Sequence, residues 1–331
     1  MVRRRLLDRV GMRSYTRPAL AFTLALSASI ALASPSPIAL PGDRAFPESI
    51  TSTKDGTLYT GSISQGGVVR IRADGAAAPW IKPGAFGSAS TLGVLADERS
   101  NTLWVCSNNF SGYGITVPGA AAALGSALIG FDLRSGKGRV RALIPGERAS
   151  CNDMAVGADG SVYVTNSDAP EILRLPPGDK QLEVWFHDAS LAPAPDGTGL
   201  DGIAFGDDGN VYVNRYDAAD IYRIDVKAGK ALKLTRLNPS RPLVLADAIR
   251  HLGKNVFLLV EGGGRLDTMT VSGDSAKIVT LKDGYDTPTS VTAVGNTAWV
   301  SEGQLPFLFD PTKQSHKPKL PFQIFPVELH R

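Results

Sequence analysis

From Phe46 onward, apolar and polar positions fall into a pattern that recurs six times. Each unit opens, with one exception, on a polar residue. An aliphatic residue follows two positions later, then a turn, then an aromatic inside a β-rich run. The units are FPESITSTKDGTLYTG, TLGVLADERSNTLWVC, CNDMAVGADGSVYVTN, LDGIAFGDDGNVYVNR, ADAIRHLGKNVFLLVE and PTSVTAVGNTAWVSEG. Their openers are Glu48, Leu92, Asn152, Asp201, Asp247 and Thr289; their aromatics are Tyr59, Trp104, Tyr163, Tyr212, Phe257 and Trp299. Opener and aromatic are 11, 12, 11, 11, 10 and 10 residues apart, and successive openers 44, 60, 49, 46 and 42. Chance does not keep that register through six units.

Each unit reads as a β-hairpin. Val211 and Val213 alternate with Tyr212 and Asn214, the period of a strand. Asp55-Gly56, Asp159-Gly160 and Asp208-Gly209 are tight-turn pairs, because Gly accepts positive φ. A second pair of strands follows in most units, beginning with GVVRIRA, SALIGFDLR, EILRLPP or DIYRIDV. About four strands per ~45 residues is the size of a propeller blade. An open solenoid needs polar capping repeats, whereas units one and six resemble the others. The pattern therefore predicts an all-β, six-bladed β-propeller with four-stranded antiparallel blades around a central channel. A terminal strand, from Ser36 to Phe46 or from Pro321 to Leu329, would complete the last blade. The longest gap holds a Gly/Ala-rich insertion, Ser111 to Gly125, expected as a surface loop over one face.

The first 33 residues stand outside this pattern. Six Arg and one acidic residue precede an apolar run from Ala19 to Leu32, which ends in Ala31-Leu32-Ala33 before Ser34. A positive region, a short apolar stretch and a small-residue site read as a secretory signal. The run is shorter than the ~20 residues of a comfortable membrane span, although an uncleaved anchor is the alternative. Met12 could equally be the start, since the segment from there is a complete signal. Arg3-Arg4-Arg5-Leu6-Leu7 is only a loose match to a twin-Arg signal. The expected organisation is a signal over 1–33 and one propeller domain over 34–331, exported to the periplasm or the medium.

Removing the leader changes the charge argument. The whole chain is +3; without the leader's five net positive charges it is about −2. No basic stripe remains to indicate nucleic acid, and no long apolar stretch indicates a membrane protein. The two cysteines, Cys106 and Cys151, would form one disulfide in an oxidising compartment; two buried free thiols are the alternative.

Rotation about a propeller axis places equivalent positions on one ring. Four of the six openers, Glu48, Asn152, Asp201 and Asp247, are carboxylates or a carboxamide, where a crowded axis favours small or aliphatic residues. Three converging carboxylates repel and pay desolvation, and a divalent cation resolves the conflict. An all-oxygen set suits a hard ion, Ca²⁺ ahead of Mg²⁺ or Mn²⁺, and no matching His or Cys ring speaks for zinc. The bland alternative is that each Asp or Asn only bonds nearby backbone. Asn109, Asn166, Arg215 and Glu261, just past the second strands, either line a channel end or form loops.

The openers Phe46-Pro47-Glu48, Cys151-Asn152-Asp153, Leu200-Asp201-Gly202-Ile203 and Ala246-Asp247-Ala248-Ile249 resemble those of the gluconolactonase/regucalcin (senescence marker protein-type) propellers. Paraoxonases and strictosidine synthase share that architecture more distantly. The resemblance runs from about Phe46 to Asp310. It implies that Glu48, Asn152, Asp201 and Asp247 bind a divalent ion. It also implies hydrolysis of a small-molecule lactone or ester, with Asp247, and Asp201 beside it, as catalytic carboxylates. Two departures bear on the substrate. Ser150 stands where sugar-lactone members often carry Arg, and the paraoxonase-type His pair is absent, His187 and His251 being the mid-chain histidines. Two other readings compete: a non-catalytic, metal-stabilised binding module, and a relative turned to lyase or isomerase chemistry.

Overall fold

The computed structural model describes residues 35–120, 125–195, 197–313 and 315–330. The leader and the choice between Met1 and Met12 lie outside the described residues.

Six antiparallel sheets are set around one axis, making a six-bladed β-propeller. The innermost strands are Ile50–Ser52, Ser90–Asp97, Cys151–Val156, Leu200–Phe205, Ala246–Gly253 and Pro288–Val294. Each packs against the next, and Ile50–Ser52 meets Pro288–Val294, so the circle closes. In blades one to four the chain runs outward from the axis through four consecutive strands. Blade five gains a fifth, Asn238–Pro239, parallel to Ser275–Asp283. Blade six draws on both candidate closing segments. Gln323–Glu328 pairs with Thr297–Glu302, and Ile38–Ala39 adds the outermost strand.

The repeat explains itself in these contacts. Gly56, Gly160 and Gly209 adopt φ of 87°, 85° and 76°, conformations that cost a side-chain-bearing residue strain. The Asp before each accepts the backbone N–H two residues on, from Thr57 at 3.0 Å, Ser161 at 3.0 Å and Asn210 at 3.1 Å. These carboxylates serve their turns and stand apart from the opener ring. The recurring aromatic wedges between blades: Tyr163 lies 5.1 Å from Phe205 of blade four, and Tyr212 4.7 Å from Phe257 of blade five. Such ring pairs add about 0.5–1.5 kcal/mol beyond the area they bury.

Cys106, in strand Thr102–Asn108, is joined by a disulfide to Cys151 at the start of the blade-three inner strand, with Cα atoms 5.1 Å apart. Blades two and three are thus tied beside the axis. No helix among the described residues is long and apolar enough to cross a membrane.

Candidate metal centre

The openers reach the axis through a repeated distortion of the ladder. In blades two to five the pairing of inner and second strands shifts register at the opener: between Thr91 and Val94, Cys151 and Met154, Leu200 and Ile203, Ala246 and Ile249. A bulge leaves one residue unpaired and re-aims its side chain, here toward the channel. Glu48 arrives differently, just ahead of strand Ile50–Ser52. Phe46 and Leu245, two residues before Glu48 and Asp247, hold φ of 38° and 53°. Left-handed backbone at non-Gly residues persists only where the surroundings enforce it; for Phe46 these include Phe322, with ring centroids 4.7 Å apart.

Glu48, Asp201 and Asp247 are all buried, and each offers a carboxylate oxygen within 4.8 Å of the others. Asn152 joins them, its Nδ2 donating to Asp201 Oδ2 at 3.2 Å and to Ser167 Oγ at 2.8 Å. Ser167 donates its own proton to the Leu200 carbonyl at 2.7 Å, so toward Asn152 it can only accept, which fixes the amide orientation. Asn152 Oδ1 and Glu48 Oε2 are buried without any hydrogen-bond partner. A buried oxygen acceptor without a donor costs about 1–3 kcal/mol. Two such atoms among three carboxylates are what a hard, oxygen-seeking dication would satisfy, and the residues present fit that ion.

The electrostatics agree. Burial first, then Asp201 and Asp153, raise the Glu48 carboxyl well above the ordinary range. Burial, then Asp201 and Glu48, do the same to Asp247. Burial and Asp153 push Asp201 up to about 7.

Beneath the ring lies a pair that the sequence reading did not single out. The residue after each opener is Ser49, Gly93, Asp153, Gly202, Ala248 or Ser290. All are small but Asp153, because inner strands crowd together there. A Cβ on Gly93 would stand 2.3 Å from the Asn152 carbonyl, and one on Gly202 2.5 Å from the Ile249 nitrogen. Arg250 of blade five spans the channel to Asp153 of blade three; its Nη2 donates to Asp153 Oδ1 at 3.0 Å and its Nη1 to Asp153 Oδ2. Burial works against the Arg250 charge, but Asp153, then Glu48 and Asp201, hold its pKa above the usual value. One guanidinium therefore faces four carboxyl groups, too little positive charge to balance them once they ionise. The lone large residue at a small position was the available signal.

Above the ring a cavity of about 610 Å³ opens, its floor made by Glu48, Asn152, Asp201 and Asp247. Tyr216 also lines it. Burial, then Asp247 and Asp201, raise its pKa, so the phenol is a neutral hydrogen-bond donor. Ser150 and Leu92 reach the cavity as well. Thr289 does not; its hydroxyl donates to the Pro47 carbonyl at 3.0 Å. His251 lies outside the cavity, with Nε2 3.3 Å from Asp207 and its ring 5.4 Å from Phe257. Asn166 supports loops, accepting from the Ser150 nitrogen at 3.0 Å. Arg215 bonds Asp217 at 3.1 Å, and Glu261 pairs with Arg241 at 2.7 Å. Asn109 does border the cavity. So does the insertion between the second and third strands of blade two, through Tyr113, with Phe110 just ahead of it; it contributes to the mouth rather than only covering a face.

A family model described as "Strictosidine synthase-like, N-terminal" matches residues 27–71. No curated protein matches the sequence. Among solved structures, the chain is similar to the major allergen Mala s 1 of Malassezia sympodialis, at 13% identity over 89% of this chain and 96% of that one, with a TM-score of 0.66. It is similar to a gluconolactonase of Xanthomonas campestris, at 15% identity over 86% and 87%, with a TM-score of 0.62. It is also similar to regucalcin of Agrobacterium tumefaciens, described as a calcium-binding protein, at 14% identity over 90% and 96%, with a TM-score of 0.62. At these identities the likeness is one of fold. The last two agree with the resemblance carried by the blade openers.

Proposed function

We propose that the protein is an exported, divalent-metal-dependent hydrolase of a lactone or related ester. The observation that carries this reading is the buried cluster of Glu48, Asp201 and Asp247 with the orphaned Asn152 Oδ1, at the floor of a cavity wide enough for a substrate. The gluconolactonase and regucalcin likenesses support it. Calcium is the expected ion, given the all-oxygen ligands.

Held by Glu48, Asn152, Asp201 and Asp247, the ion would polarise the substrate carbonyl and offset the charge that develops on its oxygen. The chain's own groups do the rest. Ser167 accepts from Asn152 Nδ2 and so leaves Oδ1 as the unpartnered atom available to the ion. Asp201 accepts from Asn152 and is hydrogen-bonded to Asp247, which the backbone N–H of Ala248 also steadies; Asp247 is assigned as the base. It takes the proton of the attacking water as the carbonyl carbon gains the new C–O bond. The ring C–O bond then breaks, and that proton passes to the departing alkoxide, giving a hydroxy acid. The Arg250–Asp153 pair, largely buried, sits below the floor and is not among the groups that line the cavity.

The leader pattern and the disulfide support export, since disulfides persist in oxidising compartments; mass analysis of secreted protein starting at Ser34 would establish it. Metal analysis of the purified chain, followed by a lactone panel with and without chelator, tests the rest. Loss of turnover on chelation and its return with calcium are expected. Because the ligands come from four blades, a purely structural ion is the competing reading. It wins if chelation lowers thermal stability and no lactone or ester is hydrolysed with calcium present.

A further inference from the structure

The cavity above the carboxylates has two unlike halves. Five acidic residues line it, Glu48, Asp168, Asp201, Asp247 and Asp310, and no Lys, Arg or His does among the described residues. A dication would offset only part of that charge. Arg250 is no counterweight for a ligand, because it lies below the floor and is engaged by Asp153. A carboxylate or phosphate on the arm of the substrate, away from the ion, would meet like charge with no cationic side chain to pair it, which disfavours binding.

The other half is apolar and comes from blades six, one and two. Ile63 and Leu92 belong to one continuous hydrophobic cluster, against which Phe110, Leu305 and Phe309 pack. At the mouth three rings meet edge to face: Phe110 and Tyr113 at 5.9 Å, Phe110 and Phe309 at 5.8 Å, Tyr113 and Phe309 at 5.6 Å. Two separate segments supply them, the loop between the second and third strands of blade two and the short helix Pro306–Phe309 after the second strand of blade six. Each ring braces the others, so the trio is a preformed surface, and Tyr113 is 66% exposed. Ligand sites combine such an apolar wall with a few polar groups that orient the ligand.

We infer that this cavity takes a lactone or ester bearing an apolar or aromatic arm and no anionic group, with the reacting carbonyl over the carboxylates and the arm against Phe110, Tyr113 and Phe309. The assignment of the reacting end rests on the hydrolase reading; the assignment of the arm rests on the walls alone. The volume accommodates both, since a bare lactone ring would leave much of a 610 Å³ cavity unfilled.

The test uses the calcium-loaded full chain and four lactones of one ring size: unsubstituted, carrying a phenyl or hexyl arm, polyhydroxylated, and carrying a carboxylate. The arm is expected to raise kcat/KM about tenfold or more over the bare ring, mostly through KM, as apolar groups in such pockets do. The carboxylate should lower it. Tyr113→Ala, at an exposed site where folding is not at risk, and Phe309→Ala should each cut the arm's advantage severalfold. The matching cyclic amides, which resist hydrolysis, give binding constants by calorimetry. Tighter binding of the arm-bearing amides without turnover of any lactone would sink the hydrolase reading and leave this inference standing. Hydroxylated or anionic lactones preferred over arm-bearing ones would overturn the inference and leave the hydrolase standing. Arm-bearing compounds neither bound nor cleaved better than the bare ring would also overturn it.

Discussion

Stripping divalent ions and raising the pH should unfold this propeller more easily, and the size of the effect follows from Asp201. Its carboxyl is pushed from 3.8 up to about 7 in the fold, by burial and then by Asp153. An acid with a raised folded pKa binds its proton more tightly folded than unfolded. Stability is therefore full below the unfolded pKa and declines as pH climbs toward the folded one. Three pKa units at about 1.4 kcal/mol each give at most about 4 kcal/mol lost between roughly pH 4 and pH 7. For a chain of this size a kcal/mol moves Tm by about 2 °C, so the metal-free protein should melt several degrees lower at pH 8 than at pH 5. Calcium should reverse the trend, because its ligands must be deprotonated. At a thousandfold excess over Kd it adds about 4 kcal/mol, more fully at pH 8 than at pH 5. The assay is thermal unfolding across that range in EDTA and in millimolar calcium. Asp201→Asn, which cannot titrate, should flatten much of the EDTA slope. If the chelated protein were equally stable at both pH values, or calcium stabilised it equally at both, the three carboxylates would not form the buried, repelling cluster described here.

Other outcomes follow from single contacts. Asp247→Asn should lower kcat by about 10²–10⁴-fold, the usual contribution of a general base, on any lactone the protein hydrolyses; full turnover would move the role to another group. Arg250→Ala should cost about 3–5 kcal/mol in denaturant unfolding, because it strands the buried Asp153 charge, and Asp153→Asn in the same chain should restore much of that loss. Replacing Cys106 and Cys151 together by Ala should cost about 3–4 kcal/mol, given the 45-residue separation that the disulfide closes; an unchanged midpoint in the same titration would show that neighbouring blades already hold the two strands.

What could be read from the chain, and what could not, divides along sequence distance. The hairpins were legible because their determinants are local: Asp-Gly for the turn, an alternating run for the strand, an aromatic at fixed spacing. The ring was legible because rotational symmetry turns equal spacing into shared position, which brings Glu48, Asp201 and Asp247 together from separate blades. The Arg250–Asp153 pair was not, because it joins different steps of the repeat across 97 residues. The aromatic mouth was hidden for a different reason. Phe110, Tyr113 and Phe309 lie in the segments that depart from the repeat, so no periodicity announced them.

The aromatic mouth of the cavity has a kinetic corollary. A ligand seated over the carboxylates reaches them past the same three rings that line the cavity. On the hydrolase reading, a neutral arm-bearing amide should therefore slow turnover in a competitive manner, whereas an anionic hydroxy acid should leave the site readily.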